Sequence, residues 1–353
     1  MSFGLLFIVP PASAQTPTPS DRSYLIFVAS AAVDQLALIR FGPKGALVEH
    51  RTAVTLRPDQ TAAPLGISLV PRGRFYYVIV ANGFTNGELL QVKIAADSSH
   101  RESQPPDTLW GREPLGASPT AVQVSADGAF AWVTSGNSGT TSRSSVSVVY
   151  LERMVEVARI PTCATPTGSR LTADGSRHYS VCIGDDLLVE IDAKAMAVTR
   201  RLALARGTAP CGPAAVEPTT DGSKIYVACS RSDDVAEVDA STWTIGRRIP
   251  MGAGVSRLAL THDGKLLVGT NERGQSVSIV ELASGHELAR LPTRRASPAG
   301  VVVTPDDRYA FVTVAGAGAE PGTVEVIDLA ALKTVATVDV GRGAGGIAFW
   351  KMQ

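Results

Sequence analysis

An Asp-Gly turn motif recurs at near-regular intervals along the chain. Its copies centre on residues 72, 127, 174, 221, 263 and 306, so successive copies are 55, 47, 47, 42 and 43 residues apart, and the copies at 72 and 306 are degenerate. A proline stands eight residues before every copy except the one at 263, where Val255 replaces it. A sequence period of this length is typical of an array of small repeated structural units.

Each repeat contains four short stretches in which apolar and polar residues alternate, the pattern of half-buried β-strands. In the repeat that begins at Pro213, these stretches cover residues 214–218, 224–229, 235–239 and 244–250. Each repeat is therefore predicted to form a four-stranded antiparallel meander. One meander cannot bury both of its faces, so the units must stack, and four strands in a period in the low forties are typical of a β-propeller blade.

The two ends of the chain supply one further unit between them. Residues 24–30, 35–41 and 47–56 match the second, third and fourth strands of a repeat, whereas residues 345–350 match a first strand. Pairing the two ends closes the ring and leaves no open sheet edge. The sequence therefore predicts an all-β fold: a seven-bladed β-propeller over residues 23–353, closed by the C-terminal strand joining the N-terminal blade.

The first residues have the character of a secretion signal. Residues 3–9 are apolar, and Ala12-Ser13-Ala14 supplies the small residues that a signal peptidase accepts, although no Lys or Arg precedes the apolar stretch. The sequence predicts a signal peptide at residues 1–14, an extended leader at 15–22, and a periplasmic or secreted protein.

Charge and hydropathy exclude two classes of partner. The chain carries 33 Lys and Arg against 33 Asp and Glu, so no net charge attracts it to nucleic acid. Beyond the first segment, no apolar run approaches the roughly 18 residues that a membrane span requires. We therefore expect neither nucleic-acid binding nor a membrane span.

Short segments of the second strands carry a family resemblance. Residues 77–79, 226–228 and 311–313 read Tyr-Val-Ile, Tyr-Val-Ala and Phe-Val-Thr, each before a loop that leads to a Val-x-Val-Ile-Asp-like strand. They resemble the YVTN-type seven-bladed β-propeller repeat family, and the likeness spans roughly residues 24–352. The resemblance implies relatives among exported binding proteins, lactonase-like enzymes and the propeller subunits of quinoprotein amine dehydrogenases. The fold alone does not choose among these activities.

Four cysteines occupy matching positions in two neighbouring repeats. In each repeat one cysteine precedes the first strand and the other ends the second strand, so both lie at the same end of adjacent strands, within disulfide reach. Export would supply an oxidising compartment. The sequence predicts the disulfides Cys163–Cys182 and Cys211–Cys229. The alternative is a four-thiolate metal site, but no C-x-x-C spacing supports it.

Polar residues cluster in the loops that follow the second strands. Carboxylates and amides there could hold Ca²⁺ through oxygen ligands or polarise a lactone, and arginines beside them could clamp an acidic ligand. The alternative is that hairpin turns simply favour Asp and Asn. The candidate ligand-binding residues are Asn82, Asn137, Asp185, Asp186, Arg231, Asp233, Asp234, Asn271, Glu272 and Arg273.

Two further features point to the centre and one face of the ring. Arg170 and Glu217 occupy the same first-strand position in neighbouring repeats and could form an ion pair in the central channel. Three connections depart from the repeat, at residues 103–110, 135–145 and 315–322. All three are predicted on one face, where propellers usually place ligands, although tolerant loops also vary without function.

No catalytic constellation is visible in the sequence. The five histidines form no metal spacing, and neither G-x-S-x-G nor G-x-x-x-x-G-K is present. Catalytic residues stay unassigned, and no cofactor is predicted apart from the possibility of Ca²⁺. The predicted function is an exported binding or scaffold module whose loop-rich face binds an unidentified protein or small molecule. The alternative is a lactonase-like hydrolase or a propeller subunit of a quinoprotein dehydrogenase, so enzymatic activity is left open.

Overall fold

The computed structural model describes residues 21–54, 63–72, 75–83, 87–95, 108–116, 118–136 and 144–353. These residues form 28 β-strands and one short 3-10 helix, Ala31–Val33. The strands are β1 Tyr24–Ser30, β2 Gln35–Gly42, β3 Gly45–Ala53, β4 Pro64–Arg72, β5 Phe75–Asn82, β6 Glu88–Ala95, β7 Thr108–Pro114, β8 Pro119–Val124, β9 Phe130–Ser135, β10 Ser145–Tyr150, β11 Val155–Pro161, β12 Pro166–Leu171, β13 Arg177–Cys182, β14 Leu187–Asp192, β15 Ala197–Ala203, β16 Pro213–Pro218, β17 Lys224–Cys229, β18 Asp234–Asp239, β19 Thr244–Pro250, β20 Val255–Leu260, β21 Leu266–Asn271, β22 Ser276–Glu281, β23 His286–Pro292, β24 Pro298–Val303, β25 Tyr309–Val314, β26 Gly322–Asp328, β27 Lys333–Val340 and β28 Ala344–Met352.

The strands form seven four-stranded antiparallel sheets, which are the blades of a propeller. Blades 2 to 7 each contain four consecutive strands, from β4–β7 to β24–β27, and blade 1 combines β28 with β1–β3. The innermost strands β4, β8, β12, β16, β20, β24 and β28 contact one another in a ring. The predicted seven-bladed fold is confirmed.

Blade 1 closes the ring by joining the two ends of the chain. β28 pairs antiparallel with β1, placing Met352 opposite Tyr24. Just outside the strands, Ser23 and Gln353 exchange two backbone hydrogen bonds of 2.8 Å. Trp350 of β28 is buried in the core between blades 1 and 2. The predicted completion of the N-terminal blade by the C-terminal strand is therefore confirmed.

The recurring Asp-Gly motif forms the turn between the first and second strands. In blade 4, an Asp174 carboxylate oxygen accepts hydrogen bonds from the Ser176 N–H at 3.0 Å and the Thr172 hydroxyl at 2.5 Å. Gly175 has a φ of +69°, which glycine adopts without strain. The Thr172 hydroxyl is the main reason that the pKa of Asp174 falls to about 2. Asp221 makes the same contacts in blade 5, which explains why the motif recurs.

The connections divide between two faces of the ring. Loops between second and third strands and segments leading into first strands emerge on one face, which we call the loop face. Residues 135–136 and 144–145, at the end of the second and the start of the third strand of blade 3, belong there, as do residues 315–322 of blade 7. Residues 108–110 instead begin the fourth strand of blade 2, so the connection before them emerges on the opposite face. The prediction that all three irregular connections share one face is thus wrong for residues 108–110.

Several predicted features lie outside the described residues. These are the signal peptide at 1–14, most of the leader at 15–22, and parts of two irregular connections, at 103–107 and 137–143. In the part of the chain that the structure describes, no helix is long and apolar enough to cross a membrane.

Both predicted disulfides are confirmed. Cys163 is bonded to Cys182 with their Cα atoms 6.0 Å apart, and Cys211 to Cys229 with a Cα separation of 4.6 Å. Each bridge ties the segment leading into an innermost strand to the end of the second strand of the same blade. The two bridges therefore fix the loop face of blades 4 and 5.

Candidate functional site

A central channel occupies the axis of the ring. It has a volume of about 360 Å³ and is lined from all seven innermost strands. Glu272, in the loop between β21 and β22, and Ala315, just after β25, also line it. Because both residues lie at the loop face, the channel opens on that face.

Neighbouring innermost strands approach each other closely at the third residue of each strand. A Cβ atom at Gly168 would lie 2.7 Å from the Ala214 carbonyl oxygen of the next innermost strand, and one at Gly346 would lie 2.6 Å from the Leu65 carbonyl oxygen. Such contacts favour small residues. Six of the seven blades carry Gly or Ala at this position, namely Gly66, Ala121, Gly168, Ala215, Gly300 and Gly346.

Arg257 of β20 is the exception, and its side chain lines the channel. Its guanidinium donates to the Ser256 carbonyl oxygen at 2.8 Å, and among the described residues no carboxylate oxygen lies within the 4.0 Å of an ion pair. Arg257 is exposed to the channel, and the surrounding ring reduces its contact with bulk solvent. This desolvation lowers the pKa of Arg257, the charge of Arg170 lowers it further, and Glu272 acts in the opposite direction. Arginine nevertheless stays protonated at neutral pH.

The predicted pair of Arg170 and Glu217 is confirmed. Arg170 Nε lies 2.8 Å from Glu217 Oε2, joining the innermost strands of blades 4 and 5. Burial raises the pKa of the Glu217 carboxyl, although the charge and hydrogen bond of Arg170 act against that rise. The opposite charges of Arg170 and Glu217 cancel each other. Arg257 therefore has no carboxylate partner in the described channel wall.

Two of the predicted loop carboxylates connect neighbouring blades. Asp186 of blade 4 accepts a hydrogen bond from the Gly212 N–H at 2.8 Å, in the segment that leads into β16. Asp233 of blade 5 accepts one from the Gly254 N–H at 2.7 Å, just before β20. Both aspartates have a positive φ, near +52° and +57°. Asp34 makes the equivalent bond from blade 1 to blade 2, so this contact is a repeated structural device.

Among the other candidates that lie in the described residues, only Glu272 lines the channel. Asp234 is buried in an ion pair with Arg248 at 3.0 Å, and Arg273 pairs with Asp233. Asp185 accepts a hydrogen bond from a backbone N–H and Arg231 is exposed.

The asparagines among the candidates lie at the ends of second strands. Asn82 and Asn271 are buried there, and their amide nitrogens donate to Glu88 and to two serine hydroxyls respectively. Asn137 lies outside the described residues. Across the residues that the structure does describe, no three His, Cys, Asp or Glu side chains come close enough together to hold a metal ion. The carboxylates thus do not fit Ca²⁺ as a group, and Ca²⁺ stays a prediction.

Arg257 is the channel residue that sequence reasoning did not select. Its signal is present in the repeat alignment, because the column that is Gly or Ala in the other six units is Arg in this one. Recognising this signal requires the exact strand register. The register shows that the third residue of each innermost strand lies where neighbouring innermost strands approach most closely.

Comparison with known proteins supports the fold and does not extend to activity. No protein-family model and no curated protein sequence matches the chain. Hydrazine synthase of Kuenenia stuttgartiensis has a similar structure, with a TM-score of 0.64, 22% identity, and coverage of 84% of this chain and 92% of that one. The periplasmic gluconolactonase of Pseudomonas aeruginosa matches with a TM-score of 0.70, 18% identity, and coverage of 93% and 99%. A functionally unknown protein of Desulfotomaculum acetoxidans matches with a TM-score of 0.72, 12% identity, and coverage of 92% and 98%. At these identities the likeness establishes a shared propeller fold.

Proposed function

We propose that this protein is a binding module that takes a small organic anion into its central channel from the loop face. The single observation that carries the proposal is Arg257, an exposed arginine that lines the channel without a carboxylate partner in the described wall. Because no carboxylate pairs with it, an anion that enters the channel can supply the missing partner. Bidentate hydrogen bonds to a carboxylate or phosphate suit the planar guanidinium.

The local charge at Arg257 favours an anion over a neutral ligand. Arg170 and Glu217 cancel each other, while Glu272 acts on Arg257 only from beyond ion-pair distance. Arg170, Glu217, Arg257 and Glu272 sum to no net charge, so the positive charge at Arg257 is a local one. A negative group at Arg257 would offset its repulsion by Arg170.

Calorimetric titration with acetate, butyrate, hexanoate, gluconate and inorganic phosphate tests the proposal. We expect at least one of these anions to bind, and Arg257→Gln to weaken that binding roughly tenfold to a hundredfold, because a hydrogen bond to a charged group contributes about 1.5–3 kcal/mol. Arg342→Gln, which removes an exposed charge just before β28 on the same face, serves as the matched control and should bind like the parent. Failure of all five anions to bind, or equal binding by Arg257→Gln, would refute the proposal.

Lactone hydrolysis is a second candidate, favoured by Glu217. Its carboxyl has a raised pKa beside the guanidinium of Arg170. In such a reaction Glu217 would accept a proton from water as the water oxygen attacks the lactone carbonyl. Arg170 would stabilise the oxyanion of the tetrahedral intermediate, the ring C–O bond would then break, and Glu217 would return its proton to the leaving ring oxygen. One of the structural neighbours is a gluconolactonase, which agrees with this candidate.

Proton release from δ-gluconolactone, corrected for spontaneous hydrolysis, tests this second candidate. We expect Glu217→Gln to lower turnover at least a hundredfold and Glu287→Gln, on the outer strand β23, to leave it unchanged. Chelation followed by addition of Ca²⁺ in the same assay tests the predicted metal. A parent protein that hydrolyses the lactone no faster than buffer would exclude this activity.

Export is part of the proposal. The secretion-like segment at residues 1–14, two disulfides and a periplasmic structural neighbour all agree with a periplasmic or secreted protein. A role as the propeller subunit of a quinoprotein dehydrogenase remains the alternative that involves a protein partner.

A further inference from the structure

The channel wall has two chemically different sides. Polar side chains come from blades 3, 4 and 6, including Gln123, Arg170 and Arg257. Blades 7, 1 and 2 instead contribute apolar side chains, which we call the apolar wall; its half-buried members Leu65, Ala299 and Ile347 are the more accessible ones. It consists of Leu65, Ile67, Pro298, Ala299, Val301 and Ile347. Among the described residues on this side, Ser297 at the mouth is the one with a polar side chain.

Several backbone groups of the apolar wall are already hydrogen-bonded within the protein and are therefore less available to a ligand. The Thr270 hydroxyl donates to the Ala299 carbonyl oxygen at 2.9 Å, and the Thr313 hydroxyl donates to the Gly345 carbonyl oxygen at 2.7 Å. The Gly300 N–H donates to the Thr313 oxygen at 2.8 Å. These threonines of the second strands therefore satisfy backbone groups of blades 7 and 1 that would otherwise attract a polar ligand.

Arg257 lies at one end of the apolar wall. Its strand, β20, is next to β24 in the ring, and β28 and β4 follow in order. An anionic group held by Arg257 would therefore place the rest of its molecule beside blade 7 and then blades 1 and 2. The same geometry would bring the hydroxyl groups of a polyol against side chains that cannot bond to them.

We infer that the ligand is an amphiphilic monocarboxylate, with its carboxylate on Arg257 and its hydrocarbon chain against the apolar wall. This inference rests on the proposed function and narrows it. A sugar acid shares the carboxylate but lacks the apolar chain, so the two ligand classes give opposite expectations for the same channel.

Hexanoate and gluconate form a matched pair for the test, since both have six carbons and one carboxylate and differ in the hydroxyl groups of gluconate. We expect the affinity for straight-chain acids to rise about threefold to fourfold per methylene from acetate to hexanoate. Hexanoate should bind at least tenfold more tightly than gluconate or inorganic phosphate. Arg257→Gln should weaken the binding of hexanoate and acetate alike, by roughly tenfold to a hundredfold.

Paired variants at Ile347 test the apolar wall directly. Ile347→Val and Ile347→Thr have nearly the same shape and differ in one methyl against one hydroxyl. We expect Ile347→Thr to bind hexanoate at least threefold more weakly than Ile347→Val, with equal affinity for acetate and with melting curves confirming that both fold. Tighter binding of gluconate than hexanoate, still dependent on Arg257, would overturn the inference and leave the proposed function standing. Binding of none of the acids would overturn both.

Discussion

Removal of residues 345–353 is expected to destroy the cooperative fold of the propeller. The deletion takes away most of β28, so β1 loses its inner hydrogen-bonded neighbour and blade 1 loses its place between blades 7 and 2. Loss of a buried tryptophan such as Trp350 alone costs about 3–5 kcal/mol, a large share of the 5–15 kcal/mol that stabilises a typical domain. The shortened chain should lack a sharp thermal transition by calorimetry and by near-ultraviolet circular dichroism.

Two matched experiments separate ring closure from a general effect of truncation. Removal of Gln353 alone takes away two backbone hydrogen bonds outside the strands, and should lower the melting temperature only slightly. A synthetic peptide of residues 343–353, added to the shortened chain, should restore part of the cooperative transition. A chain lacking residues 345–353 that melts like the parent would show that the composite blade is not needed to hold the ring.

Replacement of His178 by leucine is expected to remove a large part of the acid sensitivity of the protein. His178 is fully buried on β13, stacked on Trp132 with ring centroids 5.2 Å apart. Its two ring nitrogens have no hydrogen-bond partner in the described part of the chain. Burial lowers its pKa to about 3 from an ordinary value of 6.5. The other six blades carry aliphatic residues at this position, namely Ile26, Val78, Ala131, Ile225, Leu267 and Ala310.

The direction of the effect follows from proton binding in the two states. Below pH 6.5 the unfolded chain binds a proton at His178 and the folded protein does not, so acid favours unfolding. Above pH 6.5 His178 does not lower the free energy of unfolding. As the pH drops from 6.5 toward 3, His178 lowers this free energy, by about 3 kcal/mol at pH 4.5. Urea unfolding of the parent and of His178→Leu at pH 7.5 and pH 4.5 measures the difference.

His286→Leu provides the control, because His286 is exposed at the start of β23. Between pH 7.5 and pH 4.5, the free energy of unfolding of His286→Leu should fall by as much as that of the parent. The fall for His178→Leu should be smaller by about 3 kcal/mol. Equal losses in all three proteins would mean that His178 is protonated, or paired, in the folded state.

Most of the fold follows from the sequence because each blade repeats the same local chemistry. The Asp-Gly turns and the alternation of the strands are short-range signals, and they occur often enough to fix the period and the number of blades. The disulfides could be paired for the same reason, since Cys163 and Cys211 occupy equivalent places. Ring closure could be inferred because the first strand missing at one end is present at the other.

The candidate site was harder to predict because it depends on distances between blades. Asp186 and Asp233 match the sequence pattern of exposed ligands, yet each binds the backbone of the following blade, a contact that no single repeat reveals. The irregular connection before Thr108 looked like part of the loop face because the boundary between strands three and four of blade 2 is not marked by a turn motif. Arg257 becomes conspicuous only when the seven innermost strands are aligned by register.

The composite blade also sets the order of events during synthesis. Three strands of blade 1 leave the ribosome first, but β28 is translated only after the six other blades. At a typical translation rate of about 5–20 residues per second, β1 waits on the order of tens of seconds with a bare inner edge. Until then the nascent chain is an incomplete arc that exposes backbone donors and acceptors to other chains, so a chaperone or rapid translocation would be needed most at this stage.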